Sequence, residues 1–177
     1  IQYLSLNLSP AQLRDGGSSF SELLLDVLHR NDLTPEMIQL EITETAVLDD
    51  PGHIDEVLGA LAGMGFLLAI DDFGTGYSSL SALQRLPFTT LKIDKTFVKG
   101  MGRQAKSRDL VQACVSIARN LRLRCVAEGV DSEPDCEMLM RLGCDYFQGF
   151  LFDPGLEASV LEKRLFQQMK ASQVGFG

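Results

Sequence analysis

The 177 residues amount to one domain with room for a sizeable core. Hydrophobic residues make up 45% of them and charged residues 23%, as in soluble globular domains; the longest apolar stretches, such as Gly65 to Ile70, are too short to span a bilayer, and no leader of basic then apolar residues opens the chain. A formal net charge of −8 argues against a long nucleic acid partner but leaves room for a small phosphate ligand, because bound metal ions reverse the local field of an acidic site.

In chain order, six short apolar runs read as strands: Tyr3 to Leu8, Ile38 to Thr43, Leu67 to Asp71, Thr90 to Asp94, Arg124 to Glu128 and Asp145 to Phe150. Several are almost continuously apolar, as parallel strands covered on both faces should be. Helical stripes lie between them: Phe20, Leu23, Leu24, Val27 and Leu28; then Ile54, Val57, Leu58 and Leu61; then Leu110, Val111, Cys114, Val115, Ala118 and Leu121. Ser9 before Pro10 and Thr34 before Pro35 mark helix starts. Ser132 with Asp135, and Ser159 with Glu162, have the capping-box spacing. Gly63, Gly65 and Gly143 punctuate the returns to strands. The four cysteines (Cys114, Cys125, Cys136 and Cys144) form no C-x-x-C pair and stand apart from His29 and His53, so they read as reduced thiols of a cytoplasmic protein rather than a zinc site.

Strand and helix in alternation predict a parallel sheet with helices outside it. Two closures satisfy that order: an open doubly wound sheet, or a (β/α)8 TIM-like barrel that is incomplete here, with six β/α units visible. The strand ends favour the barrel. Each run finishes on polar residues: Asn7; Glu41 with Glu44; Asp71 with Asp72; Lys92 with Asp94; Glu128; Gln148. A barrel gathers all its strand ends at one mouth, whereas an open sheet uses only a few beside its switch point. Any one of these acids, Asp94, Asp131 and Asp145 included, reads equally as a solvated cap; the weight lies in their recurrence.

Gathered carboxylates repel, which makes a cation the natural companion. Hard oxygen donors, Asn7 among them, suit Mg²⁺ or Mn²⁺. Asp71 is a candidate bridge between two ions about 3.5–4 Å apart, an arrangement that polarises a phosphoryl group. Lys92 offers positive charge to a phosphate oxygen or to the attacking water, and Glu128 can accept the proton of that water. Strand alternation puts Glu41 on one side and Glu44 on the other, so Glu44 reads as a support for a neighbouring loop. Asp71 and Asp72 reach one site only if the chain turns there, and the glycines of Phe73-Gly74-Thr75-Gly76-Tyr77-Ser78-Ser79 permit such a turn.

Six segments together resemble the EAL domain family, whose members hydrolyse the bacterial second messenger cyclic di-GMP. They are Ser5 to Pro10, Leu40 to Thr45, Ile70 to Ser79, Leu91 to Asp94, Val126 to Val130 and Tyr146 to Phe150. The likeness runs in order along essentially residues 1–177. It implies a modified (β/α)8 barrel whose first strand runs opposite to the rest. It implies Asn7, Glu41 and Asp71 as ligands of one metal ion, with Asp71 and Asp72 serving a second, Mg²⁺ or Mn²⁺. Lys92 and Glu128 then position and deprotonate the attacking water, Gln148 and Asp94 contact substrate, and Glu44 anchors the loop beginning at Asp71. The implied product is linear pGpG. The implied partners are cyclic di-GMP, a second copy in a homodimer, and an upstream sensory or GGDEF domain.

By the same resemblance the chain starts at the family's third strand, so the first two strands and the Glu-Ala-Leu motif are missing, and the 177 residues alone are expected to turn over weakly or not at all. Asp131 stands where the family has glutamate. Two other readings remain open at this point. One is a sensor that binds cyclic di-GMP without cleaving it. The other is a metal-dependent barrel enzyme acting on carbon acids, which leaves the six ordered motifs unexplained.

Overall fold

The computed structural model describes residues 3–14, 18–49, 51–75 and 80–174. Six strands form one parallel sheet: β1 (Leu4–Asn7), β2 (Ile38–Thr43), β3 (Leu67–Phe73), β4 (Thr90–Ile93), β5 (Arg124–Glu128) and β6 (Tyr146–Gln148). They lie side by side in chain order. A doubly wound sheet must reverse its direction of growth at a switch point, and no reversal occurs. The sheet also curls. Arg124, opening β5, stands 4.8 Å from the ring centroid of Tyr3, just before β1. Four strand spacings in a flat sheet would separate those strands by about 19 Å. The fold is therefore an arc of a barrel, as the strand ends suggested.

Helices alternate with the strands along the chain. They are α1 (Pro10–Arg14), α2 (Ser18–Arg30), α3 (Glu44–Asp49), α4 (Pro51–Gly63), α5 (Leu80–Arg85), α6 (Lys95–Gly100), α7 (Ala105–Asn120), α8 (Glu133–Leu142) and α9 (Ala158–Val174), with a short 3-10 turn at Pro35–Met37. Ser9 begins α1 with a reciprocal cap. The Gln12 N–H donates to the Ser9 hydroxyl at 3.3 Å, and the Ser9 N–H donates to Gln12 Oε1 at 2.9 Å. Ser132 caps α8 by accepting from the Asp135 N–H. Thr34 makes no such side-chain cap. Ser159 is not a cap either: α9 already begins at Ala158, which leaves Ser159 inside the first turn.

One correction concerns the strands. Their two faces differ. Leu40, Ile42, Leu68, Ile70, Leu91 and Ile93 are fully buried and share one core with Val57, Leu58 and Leu61 of α4 and Val111, Val115 and Ala118 of α7. The other face, toward the barrel interior, carries polar residues on three strands: Gln39 and Glu41 on β2, Asp71 on β3, and Thr90 and Lys92 on β4. Gln39 donates to the Ser5 hydroxyl at 3.0 Å and accepts from the Thr90 hydroxyl at 2.7 Å. One buried amide thus links β1, β2 and β4 across the lumen. Parallel strands are covered on both sides, as expected, but here one cover is a hydrogen-bonded interior.

Leu91→Ala empties a site on the apolar face and is expected to destabilise the chain by about 2–5 kcal/mol, read as a lowered denaturant midpoint. The cysteines are all free, and only Cys136 is not buried. Burial, helped by the nearby Glu44 carboxylate, pushes the Cys114 thiol from its ordinary 9.0 up to about 11. The folded state therefore favours the protonated thiol. That contribution is complete below about pH 9 and is lost as pH rises toward 11. A disulfide reagent at pH 8 should modify Cys136 well before Cys114.

Candidate active site

The carboxylates meet at the C-terminal rim of the sheet, around Lys92. This lysine is 3% exposed and rises from the middle of β4. Its Nζ lies 2.6 Å from Glu41 on β2, 3.2 Å from Asp71 on β3 and 2.5 Å from Glu128 on β5. Three strands thus send an acid to one ammonium group. Burial alone would push the Lys92 pKa down. Its hydrogen bonds to Glu128 and Glu41, with the charge of Asp71, outweigh that and hold it above the ordinary lysine value.

Asp72 arrives by a backbone irregularity. The register between β3 and β4 shifts between Ile70 and Phe73, and Asp72 has φ 54°, in the left-handed region that few side chains tolerate. Asp71 supports the kink by accepting the Asp72 N–H at 2.9 Å. The result is that two consecutive acids serve one site. Carboxylate oxygens of Asp71, Asp72 and Glu128 lie within 4.8 Å of one another.

Four acids (Glu41, Asp71, Asp72 and Glu128) face one lysine, so the rim carries excess negative charge. Two groups register it. Burial, then the charges of Asp71 and Asp94, push the Asp72 pKa up against the pull of Lys92. Burial, then Asp71 and Glu41, push Glu128 up against the same lysine. An all-oxygen donor set with uncompensated charge fits a hard divalent cation.

The remaining candidates fall around this centre. Asn7 ends β1 in register with Glu41 and is exposed. Gln148 ends β6 in register with Glu128. Asp94 is the N-cap of α6. It accepts hydrogen bonds from the Thr96 N–H at 2.8 Å and from the Thr96 hydroxyl, and it shares a hydrogen bond with Asp72. Despite the cost of burial, those bonds hold Asp94 below the usual carboxylate range. Glu44 opens α3 beyond the strand end, and its Oε2 accepts the Gly74 N–H at 3.1 Å, across to the loop after β3. Gly76 to Ser79 of that loop lie outside the described residues. Asp131 pairs with Lys99 at 2.9 Å and accepts the Phe150 N–H, while Asp145 accepts the Cys125 N–H; neither caps a helix.

Beside Glu128 and Gln148 a cleft of about 370 Å³ opens between the loops after β5 and β6, with Lys95, Lys99 and Phe150 on its walls. The two loops are held in close contact. Gly149 approaches Val130 so nearly that a Cβ there would stand 2.2 Å from the Val130 carbonyl oxygen. Two features escaped the sequence: Lys92 as the hub of the acids, and Glu128 lying within 4.8 Å of the Asp71 and Asp72 carboxylates. The hub had a legible trace, a lysine inside an otherwise apolar strand.

The chain is similar to known proteins. The family model described as EAL domain matches residues 1–154. The bifunctional diguanylate cyclase/cyclic di-GMP phosphodiesterase MucR of Pseudomonas aeruginosa is 39% identical over 89% of this chain. Among solved structures, the EAL domain of Mycobacterium smegmatis DcpA is 38% identical with a TM-score of 0.85, over 93% of this chain and 73% of that one. A manganese/cyclic di-GMP complex of Klebsiella pneumoniae BlrP1 is 35% identical with a TM-score of 0.78, over 84% of this chain and 38% of that one. The chain spans only 23% of the length of MucR.

Proposed function

From the premise that this chain belongs to the EAL domain family, we propose that it carries the catalytic rim of a cyclic di-GMP phosphodiesterase that yields linear pGpG. The observation that carries the reading is the cluster of Asp71, Asp72 and Glu128 beside Lys92, at the strand ends where barrel enzymes work. MucR, named for the same hydrolysis, and BlrP1, solved with manganese and cyclic di-GMP, support it.

Asn7, Glu41, Asp71 and Asp72 are assigned to hold two Mg²⁺ or Mn²⁺ ions, with Asp71 shared. Such ions would supply Lewis acidity to a phosphoryl oxygen. The rest of the work falls to the chain. Glu128 takes a proton from the attacking water, whose oxygen bonds to phosphorus while one P–O ester bond breaks and the departing oxygen takes a proton from solvent. Lys92, held by three acids, orients that water and balances charge on the phosphate. Gln148 and Asp94 are assigned to substrate. Glu44, through Gly74, steadies the loop after β3, which we assign to a homodimer contact.

We further propose that two more β/α units precede residue 1 in the working domain, alongside a sensory or GGDEF domain. The open arc supports this, since β1 and β6 do not pair with each other among the described residues. Free thiols suit a cytoplasmic setting, and no described helix is long and apolar enough to cross a membrane.

The test is to incubate a protein that includes those units with cyclic di-GMP and Mg²⁺ or Mn²⁺ and to follow pGpG. Turnover is expected there, and weak or no turnover from the 177 residues alone. Tight binding without turnover in the longer protein would favour a sensor and overturn the enzymatic reading.

A further inference from the structure

Two of the four free cysteines meet at the end of the sheet where the strands begin. Cys125 is the second residue of β5, and Cys144 follows Gly143, the left-handed cap that ends α8. They are 1% and 7% exposed and belong to the same apolar core. The Cys144 sulfur lies 3.4 Å from the Cys125 carbonyl oxygen, and the two thiols share a hydrogen bond. Cys114, on α7, acts on Cys125 through charge alone.

Backbone contacts fix this pair. Cys144 stands one residue before Asp145. The Asp145 N–H donates to the Cys125 carbonyl oxygen at 3.1 Å, and its carboxylate accepts the Cys125 N–H at 2.8 Å. Asp145 thus clamps both backbone groups of Cys125 and holds Cys144 beside it. Strands so joined run about 4.8 Å apart, within the Cα separation of about 4.4–6.8 Å that a disulfide spans. Cys125 also lines a cavity of about 290 Å³, with Gly143 and Asp145, on either side of Cys144, on the same wall. That space admits a molecule as small as hydrogen peroxide, while sulfurs so buried are shielded from a bulky reagent.

We propose that Cys125 and Cys144 form a redox-active dithiol, oxidised to a disulfide by a small peroxide and restored by a thiol reductant. Each cysteine by itself is ordinary core filling. Together they have a hydrogen-bonded partner, a path for the oxidant and a second thiol to resolve the first product. The bond from Cys125 lowers the pKa of the Cys144 thiol against the effect of burial, while that bond and burial push Cys125 up. Cys144 is therefore the sulfur that attacks. Its thiolate bonds to one peroxide oxygen, the O–O bond breaks and hydroxide departs, leaving a sulfenic acid. The Cys125 sulfur then bonds to that sulfur, the S–O bond breaks, and the oxygen leaves as water with the Cys125 proton. Two thiols lose two electrons, and one peroxide becomes two waters. In a reducing compartment such a disulfide is transient and reports oxidant. No residue of the carboxylate rim takes part, so the inference stands whether or not that rim hydrolyses a phosphodiester.

The test treats the folded chain at neutral pH with a few equivalents of hydrogen peroxide, then unfolds it in the presence of N-ethylmaleimide and maps its peptides by mass. One linked peptide joining Cys125 to Cys144 is expected, with Cys114 and Cys136 alkylated and all four thiols recovered after dithiothreitol. Cys125→Ala should abolish the link and leave Cys144 as a sulfenic acid that dimedone captures, whereas Cys136→Ser should leave the link unchanged. The same treatment of the chain in urea should give mixed pairings. Alkylation of all four thiols after peroxide, a Cys114–Cys125 link, or identical mixtures from the folded and unfolded chains would overturn the proposal. Should Cys125→Ala fail to fold, the peptide map of the unaltered chain decides the question alone.

Discussion

Lys92→Met is expected to destabilise the metal-free chain by about 3–5 kcal/mol, because it strands buried acids that lose their shared counter-ion. Glu41, Asp71 and Glu128 all lie within 3.2 Å of the Lys92 ammonium, and Glu41 and Asp71 are themselves largely buried. The methionine fills similar volume, so the loss reports charge rather than a cavity. The sign with pH follows from the raised pKa. The lysine's contribution is complete at neutral pH and begins to fade only once the medium is alkaline enough to deprotonate an unfolded lysine. Thermal melts of the variant with and without Mn²⁺ check a second consequence. If the rim takes divalent cations, Mn²⁺ should raise the melting temperature of Lys92→Met more than that of the unaltered chain, since the ion finds uncompensated carboxylates there. Equal or absent shifts would show that the acids do not hold the ion.

The second large effect is catalytic. In a protein carrying the whole domain, Glu128→Gln should lower kcat by about 10²–10⁴-fold, the range for loss of a proton acceptor, with little change in KM. It should not unfold the protein. Glu128 is one of three acids paired with Lys92; without it Lys92 keeps Glu41 and Asp71, and the excess negative charge falls. Asp71→Asn should cost activity differently. The amide keeps the shape of the side chain but removes the charge that two ions would share, so higher metal concentrations should recover part of the rate. Recovery of Glu128→Gln by added metal, or none for Asp71→Asn, would reverse the two assigned roles.

Much of this arrangement was legible before any coordinates. The bounds read for β2 and β5 match the structure, because Ile38 to Thr43 and Arg124 to Glu128 are short, rich in aliphatic residues and bracketed by turn or helix signals. The recurrence of polar residues at successive strand ends identified the rim, since a barrel converts position along a strand into position around a mouth. What stayed hidden depends on geometry between strands. Gln39 is one polar residue in an apolar run, and only the curl brings Ser5 and Thr90 to its amide. The bulge at Asp72 is written in no periodicity. Asp tolerates the left-handed conformation better than most residues, but tolerance does not announce use. Ser159 fitted a spacing rule that α9 does not obey, because the helix starts one residue earlier.

The most direct test is anomalous diffraction at the manganese edge from crystals of the whole domain grown with Mn²⁺. Peaks beside the carboxylates of Glu41, Asp71 and Asp72, with Lys92 drawn off at least one of them, are the predicted result. Manganese bound elsewhere on the surface with that rim still closed around Lys92 would contradict the account.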